Sequence, residues 1–441
     1  MKEKIPKSDK IGFWSASSLV VGNMIGSGIF LLPATLAAFG GISLLGWLFT
    51  TVGVIFLALV FARLSRIIKN PGGPYTYSKE GFGSFTGFLV AWGYWVSIWC
   101  GNAAIAVAGT GYLSSLIPWL SKYKVSSAII AVLIIWVFTY INTRRIKSIA
   151  LVQVLTTILK VIPIILMGTF GFLYFNADHF TPFNLSDLST GKAITATAAL
   201  TLWAFLGLES ATIPSDKIKN PGKTIPRATI AGTLFAALIF IASTSAVMGI
   251  IDPESLKSSS APFADAAKLI WGDWASYFMA ASAALACFGA LNGWILLQGQ
   301  IPRAASLDNL FPKSFSKLSS TGAPIIGLVA SSMLATLLVG INYTRGLVGM
   351  FEFILMLAIL TVLLPYVFTS LSESMLYLRK KREFSRNNFI KSLLIGIPAF
   401  LYSLWAVVGL GLEIILWGSA LLAAGIPIYL YLLLGNRKKR N

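Results

Sequence analysis

Charge is what this chain has least of. Only 12% of its 441 residues are Asp, Glu, Lys or Arg, against about a quarter in an ordinary globular domain. With 56% hydrophobic residues, that scarcity excludes a water-soluble protein and leaves a polytopic membrane protein. Cysteine occurs twice, at Cys100 and Cys287, both inside apolar segments, so no disulfide framework is implied and both read as packing residues. Histidine occurs once, at His179 in a connection, and there is no H-E-x-x-H. A metal centre, a cofactor and a membrane-embedded enzyme are therefore not expected. Long polar stretches are also missing. The longest gap between apolar segments, about 250 to 274, has room for a loop with at most a short helix.

What is present is a series of apolar runs of about 20 residues, the length that crosses a bilayer. Twelve can be placed, at about 13–38, 43–66, 85–117, 126–142, 149–174, 193–213, 226–249, 275–304, 323–340, 347–371, 393–410 and 413–434. The reading is an all-α polytopic protein of twelve transmembrane helices, one membrane domain over 1–441 with the lipid bilayer as its surroundings.

The net charge of +19 raises the question of a nucleic-acid partner, and the placement of the charge answers it. Of 35 Lys and Arg, 28 fall in the two chain ends and the even-numbered connections, and six fall in the odd-numbered ones: Lys122, Lys124, Lys192, Lys257, Lys268 and Arg345. This is the positive-inside bias of a membrane protein. It puts both termini in the cytoplasm and excludes a nucleic-acid partner. The first apolar run follows Lys2 to Lys10 as a signal peptide would, yet it is too long and lacks a small-residue cleavage site, so it is expected to be retained.

Two apolar segments are interrupted. The first carries Gly22-Asn23-Met24-Ile25-Gly26-Ser27-Gly28-Ile29-Phe30, and the second Trp203-Ala204-Phe205-Leu206-Gly207-Leu208-Glu209-Ser210. A helix broken in hydrocarbon exposes unpaired backbone groups, tolerable only where they are buried in protein or line a cavity. Paired interruptions in the two halves of a chain point to a transporter's substrate site. The half-helix starting near Ile25, Gly26, Ser27 and Gly28 would offer backbone N–H groups and a hydroxyl to a carboxylate. Carbonyls near Met24, Ile25, Trp203 and Phe205 would accept from an ammonium. The bland alternative is that these glycines only let helices pack closely. A nucleotide loop fails, since no strand precedes the glycines and Gly222-Lys223-Thr224 lacks the upstream glycine.

Two ionisable residues stand in apolar segments, where a functional role is the default expectation. Glu209 is placed to exchange protons or, alternatively, to bond a neighbouring helix. Lys160 lies mid-way along the fifth segment; a buried ammonium needs acceptors, and an unwound helix has spare ones. Glu352 and Glu373 lie near segment ends and read as interfacial. Among thirteen tryptophans, Trp203 and Trp294 are singled out. Trp294 follows Gly289-Ala290-Leu291-Asn292-Gly293, and its small neighbours leave room beside a ring that attracts cations. On residues alone it reads as core packing before it reads as a ligand.

Taken together, the first motif through Leu31-Leu32-Pro33, then Pro71-Gly72-Gly73-Pro74-Tyr75, then Leu202 through Ala211, resemble the amino acid, polyamine and organocation transporters. Within these the chain is most similar to the basic amino acid/polyamine antiporters, over about residues 12 to 430. The resemblance implies a 5+5 inverted repeat, about 11–174 and 193–371, with helices 1 and 6 unwound around the substrate and two further helices at about 393–434. It implies that Trp294 stacks on a cationic substrate, that Trp203 closes over it from outside, and that Asn102, at the end of the stretch from Tyr94 through Ser97 to Asn102, is a side-chain ligand. It makes Tyr94 and Tyr366 a distal gate, Glu209 a proton-sensing group and Tyr75 part of a pH response. Ile98 and Ala358 depart from the pattern, where a thiol and a hydroxyl are expected, which weakens the case for arginine and points to a less polar substrate tail. Lys160 departs too: in other branches a lysine here stands in for sodium.

The function implied is sodium-independent exchange of amino acids, cationic ones foremost, for a related amine or amino acid by alternating access. The rival is a proton-coupled symporter of broader specificity, and a remote alternative is an amino-acid-sensing receptor. A second copy of the chain is a further expected partner.

Overall fold

The computed structural model describes residues 10–121, 123–144, 146–259, 261–379, 385–410 and 412–437. Basic residues counted above at positions 2–7, 122, 145, 380–382 and 438–440 lie outside them, as do the side chains of Lys147, Arg345, Glu352 and Arg437. The first apolar run forms α1 (Phe13–Met24) and α2 (Ser27–Ala37), separated at Ile25 and Gly26. Then come α3 (Ser43–Ile67), α4 (Pro74–Phe82), α5 (Ser84–Leu116), α6 (Lys124–Asn142), α7 (Ile146–Phe170) and α8 (Thr190–Phe205). The second half holds α9 (Pro221–Ile250), α10 (Pro253–Lys257), α11 (Pro262–Trp271), α12 (Asp273–Leu307), α13 (Ile325–Asn342) and α14 (Gly346–Leu378). The chain closes with α15 (Arg386–Val408), α16 (Leu412–Ala423) and α17 (Gly425–Arg437).

Among the described residues, eleven helical stretches are long and apolar enough to cross a membrane. The remaining expected span, the sixth at 193–213, is helical only as far as Phe205, sixteen residues from Thr190. Beyond it Leu206 is extended and Gly207 adopts φ +113°, a left-handed value that only glycine takes without strain. Turns and two short 3₁₀ pieces, Ser210–Thr212 and Ser215–Lys217, then carry the chain onward, so no α-helix resumes before α9. The gap at 250–274 differs as well. It holds two short helices, α10 and α11, each begun by a proline at its first turn, and Asp252 caps α10 by accepting from the Ser255 N–H at 3.0 Å.

The long helices α5 and α12 pack on each other, and α14 packs on α5, forming a centre buried on nearly every face. Around it α6 and α7 turn exposed apolar stripes outward, Ile129, Leu133 and Val137 on one and Leu151, Leu155, Ile158 and Ile162 on the other. That spacing of three to four is a helix face, here suited to lipid.

Connections meet at two ends. At the basic end, Ile11 bridges Ile218, with the Ile11 N–H donating to Lys217 O and the Lys219 N–H to Ile11 O, both at 2.9 Å. There Gly72 N–H donates to Ile213 O at 2.9 Å, and Arg63 makes two hydrogen bonds, 2.8 and 2.7 Å, to Glu373. At the opposite end α10 and α11 lie on α2, where Phe263 meets Phe30 edge-on at 5.1 Å between ring centroids.

Candidate functional site

The break in the first segment leaves carbonyls without their helical donors. In a continuous helix the Gly22 and Asn23 carbonyls would accept from Gly26 and Ser27. Gly26 instead turns its N–H to Met24 O at 3.1 Å, and α2 begins at Ser27. Two side chains supply the missing donors. Lys160 Nζ, fully buried on α7, donates to Gly22 O at 2.5 Å and to Ala286 O at 3.5 Å. Trp294 Nε1, on α12, donates to Asn23 O at 3.2 Å. Buried peptide groups must be paired, and here the pairing fixes a lysine and a tryptophan against the same half-turn.

The second break meets the first through Asn23. Its Nδ2 donates to Ser210 Oγ at 2.8 Å, and Gly207 lies so close that a Cβ there would stand 2.8 Å from Asn23 Cβ. Between the two breaks is a cavity lined by Asn23, Met24, Gly26, Ser27, Gly28, Ile105, Trp203, Leu206 and Trp294. Its volume is about 20 Å³, room on the order of one water molecule. The structure is thus closed around its centre. Trp203 presses on the first break: a Cβ at Gly28 would collide with its indole ring. Ser27 Oγ is buried in this wall without a hydrogen-bond partner. A larger cleft of about 680 Å³, lined by Arg66, Lys69, Asn70 and Glu80 among others, lies at the basic end and includes no residue of either break.

Five sequence-derived site residues line the cavity: Gly26, Ser27, Gly28, Trp203 and Trp294. Ile25 is buried at the kink itself, with φ −83° and ψ 90°. Phe205 turns away, packing edge-on against Trp47 and Phe240 at 5.8 and 5.6 Å. Its carbonyl accepts from the Leu208 N–H, that of Trp203 from the Leu206 N–H, and that of Met24 from the Gly26 N–H. Each keeps one lone pair for a further donor. Ser97 spends its hydroxyl on Tyr94 O at 2.9 Å, and Ile98 and Ala358 are buried but form no part of the wall. Asn102 is buried too, its Nδ2 donating to Gln298 Oε1 at 2.6 Å.

Toward the basic end the second break presents Glu209, fully buried. One of its carboxylate oxygens accepts from the Tyr94 hydroxyl, the other from the Tyr366 hydroxyl at 2.8 Å. The carboxylate thus ties α5 and α14 to the second break. Further out, Tyr75 on α4 donates to Asp308 at 2.5 Å, and Lys79 pairs with the other Asp308 oxygen at 2.7 Å. Burial, then the bond to Asp308, push the Tyr75 hydroxyl far above its ordinary range. It stays protonated at any physiological pH.

Sequence reasoning passed over Asn23 as a site residue, although a polar side chain in a broken apolar run was the available signal. It passed over Gln298 as well, a polar side chain in the middle of an apolar segment. Ile105 and Leu206 carried no signal that separates them from core, whereas Met24 was reached through its carbonyl at the break.

The model of the amino acid permease family matches residues 11–436. The chain is 36% identical over 371 residues to the cadaverine/lysine antiporter of Escherichia coli (strain K12), covering 82% of each. It is 31% identical over 424 residues to the putrescine transporter PotE of Haemophilus influenzae, covering 96% of this chain and 97% of that one. With PotE of Escherichia coli (strain K12) the identity is 30% over 428 residues and 96% of both. A chain matched along nearly its whole length, with two broken segments enclosing a cavity walled by peptide groups and indoles, is a multi-pass membrane transporter, not an enzyme: it belongs to the amino acid permease family.

Proposed function

We propose that the chain exchanges lysine, or a closely similar cationic amino acid, for an aliphatic diamine across the cytoplasmic membrane by alternating access, without sodium. The carrying observation is the cavity between the breaks, where the α2 N-terminus and Ser27 suit a carboxylate, peptide carbonyls suit an ammonium, and the Trp294 face suits a second cation. The relatives named for cadaverine with lysine and for putrescine support this class. Ile98 and Ala358, apolar where the resemblance expects a thiol and a hydroxyl, favour an alkyl tail over a guanidinium. Lys160 on Gly22 O supports sodium independence, a fixed amine occupying the carbonyls a cation would need. The charge bias supports cytoplasmic termini, and the matching positions of the breaks support repeats at about 11–174 and 193–371.

A second reading, proton-coupled symport, is favoured by the same buried Lys160. Counterflow in proteoliposomes separates the two. Internal lysine or diamine should accelerate uptake of labelled lysine, with arginine and neutral amino acids poorer counter-substrates. Concentrative uptake driven by a pH gradient alone, with no internal substrate, would instead establish symport.

A further inference from the structure

Asn102 and Gln298 form a buried amide pair whose orientation is fixed from outside the pair. Gln298 Nε2 donates to Leu328 O at 3.0 Å and to Ser332 Oγ at 2.8 Å, both on α13. A peptide carbonyl can only accept, so the Leu328 contact requires the NH₂ end of Gln298 to face α13. Ser332 agrees. Thr139 on α6 gives its proton to Ile135 O at 2.7 Å, so in the 2.6 Å contact between the Thr139 and Ser332 hydroxyls it is Ser332 that donates. The Ser332 oxygen is then left to accept from Gln298. With its NH₂ end held by two acceptors, Gln298 presents Oε1 to Asn102, and Asn102 must meet it with Nδ2, at 2.6 Å.

The consequence falls on the other end of Asn102. Its Oδ1 is fully buried and has no hydrogen-bond partner. A buried acceptor without a donor is unfavourable, and a ligand bearing N–H groups would relieve it. Asn102 stands on α5 one turn before Ile105, which lines the cavity, and next to Gly101, where a Cβ would lie 3.7 Å from the Trp203 ring.

We propose that Gln298 is a positioning residue that sets substrate charge preference: it locks the Asn102 amide with its oxygen, not its nitrogen, available to the substrate, so that the site selects an ammonium. This rests on the exchange of cationic substrates proposed above, with Asn102 as the side-chain ligand that the resemblance implies. Without the lock, the amide of Asn102 turns freely and offers NH₂ as readily as oxygen. A donor facing an ammonium repels it, while an uncharged methyl terminus is indifferent to the difference.

The test is binding of lysine and of norleucine, its isostere lacking the terminal ammonium, to the purified full-length protein. Gln298→Met, similar in length and unbranched, should weaken lysine about tenfold or more and leave norleucine unchanged. Gln298→Met combined with Asn102→Asp should restore the lysine preference, since a carboxylate offers acceptors whichever way it turns. Ser332→Ala leaves Leu328 as the single anchor and should shift the ratio the same way by less, which keeps the claim testable if Gln298→Met does not reach the membrane. Equal weakening of both ligands by these variants, or no recovery in the double variant, would mean that Gln298 only packs, and the proposal is overturned. Asn102→Leu binding lysine at full affinity would instead remove Asn102 from the substrate site, the failure of the underlying reading.

Discussion

Lys160 donates its 2.5 Å hydrogen bond to the Gly22 carbonyl that the break in the first segment leaves without a backbone donor. The lysine is therefore part of the break rather than a bystander to it. Lys160→Met keeps the apolar stem, removes the donor and leaves a buried carbonyl unpaired, a loss of roughly 1 to 3 kcal/mol. The variant should insert, melt at lower temperature than the parent and lose most exchange. Exchange at the parental rate would show that the break holds without the amine.

Trp294 does two jobs that mutation can separate. Its N–H bonds Asn23 O, and its ring face lines the cavity. Trp294→Ala removes both and should abolish binding of cationic substrates in a protein that still folds. Trp294→Phe keeps a ring but no donor, so its affinity should fall between the two, with the cation contribution alone accounting for roughly 5- to 30-fold. Isothermal titration with lysine distinguishes the steps; equal affinity in parent and Trp294→Ala would remove the cation platform.

Closeness at Gly28 has a similar consequence. Its missing Cβ makes room for Trp203, and no flexible side-chain end lies there to yield. Gly28→Ala should displace the indole from the cavity, at about 1 to 3 kcal/mol of strain, and slow exchange more than it lowers the melting temperature. Trp203 fluorescence in an otherwise tryptophan-quiet background reports the displacement.

Both breaks were legible because glycine and polar residues interrupt runs that are otherwise uniformly apolar. Faces were not. α5, α12 and α14 are buried nearly all round, so their sequences have no polar side from which to orient the others. Hence the segment holding Asn102 could be placed, while the turn of Asn102 toward Gln298, and of Phe205 toward Trp47, could not. The sixth segment reads as a full span because composition continues apolar past Phe205, whereas the left-handed Gly207 ends the helix there. α10 and α11 were hidden for the opposite reason: short, mixed segments give too few periods to count.

Glu209 binds two tyrosines from different helices, and removing either hydroxyl should loosen the closure between cavity and basic end. Tyr366→Phe leaves the Tyr94 bond and one carboxylate oxygen without its 2.8 Å donor. Exchange should continue with a raised leak of substrate in the absence of internal partner, measured as uptake into empty liposomes. A leak equal to that of the parent would mean that the Tyr94 bond alone keeps the path shut.

At the basic end, pH should act through Lys217. This side chain is buried beside the Ile11–Ile218 bridge; burial lowers its pKa from 10.5 to about 8, the charge of Arg303 acting in the same direction and that of Asp216 against it. Above pH 10.5 the amine is neutral whether buried or exposed, and the closed end carries no penalty. As pH falls from 10.5 to 8 the exposed amine takes up a proton that the buried one refuses, so opening or unfolding is favoured progressively. Below about 8 both are charged and the effect is complete, on the order of 3 kcal/mol. The parent protein should therefore lose stability between pH 10.5 and 8 and change little through this group below that. Lys217→Met should abolish the slope and be the more stable of the two at pH 7. Melting curves of both proteins in detergent across this range decide it, since parallel curves would place the pH response elsewhere.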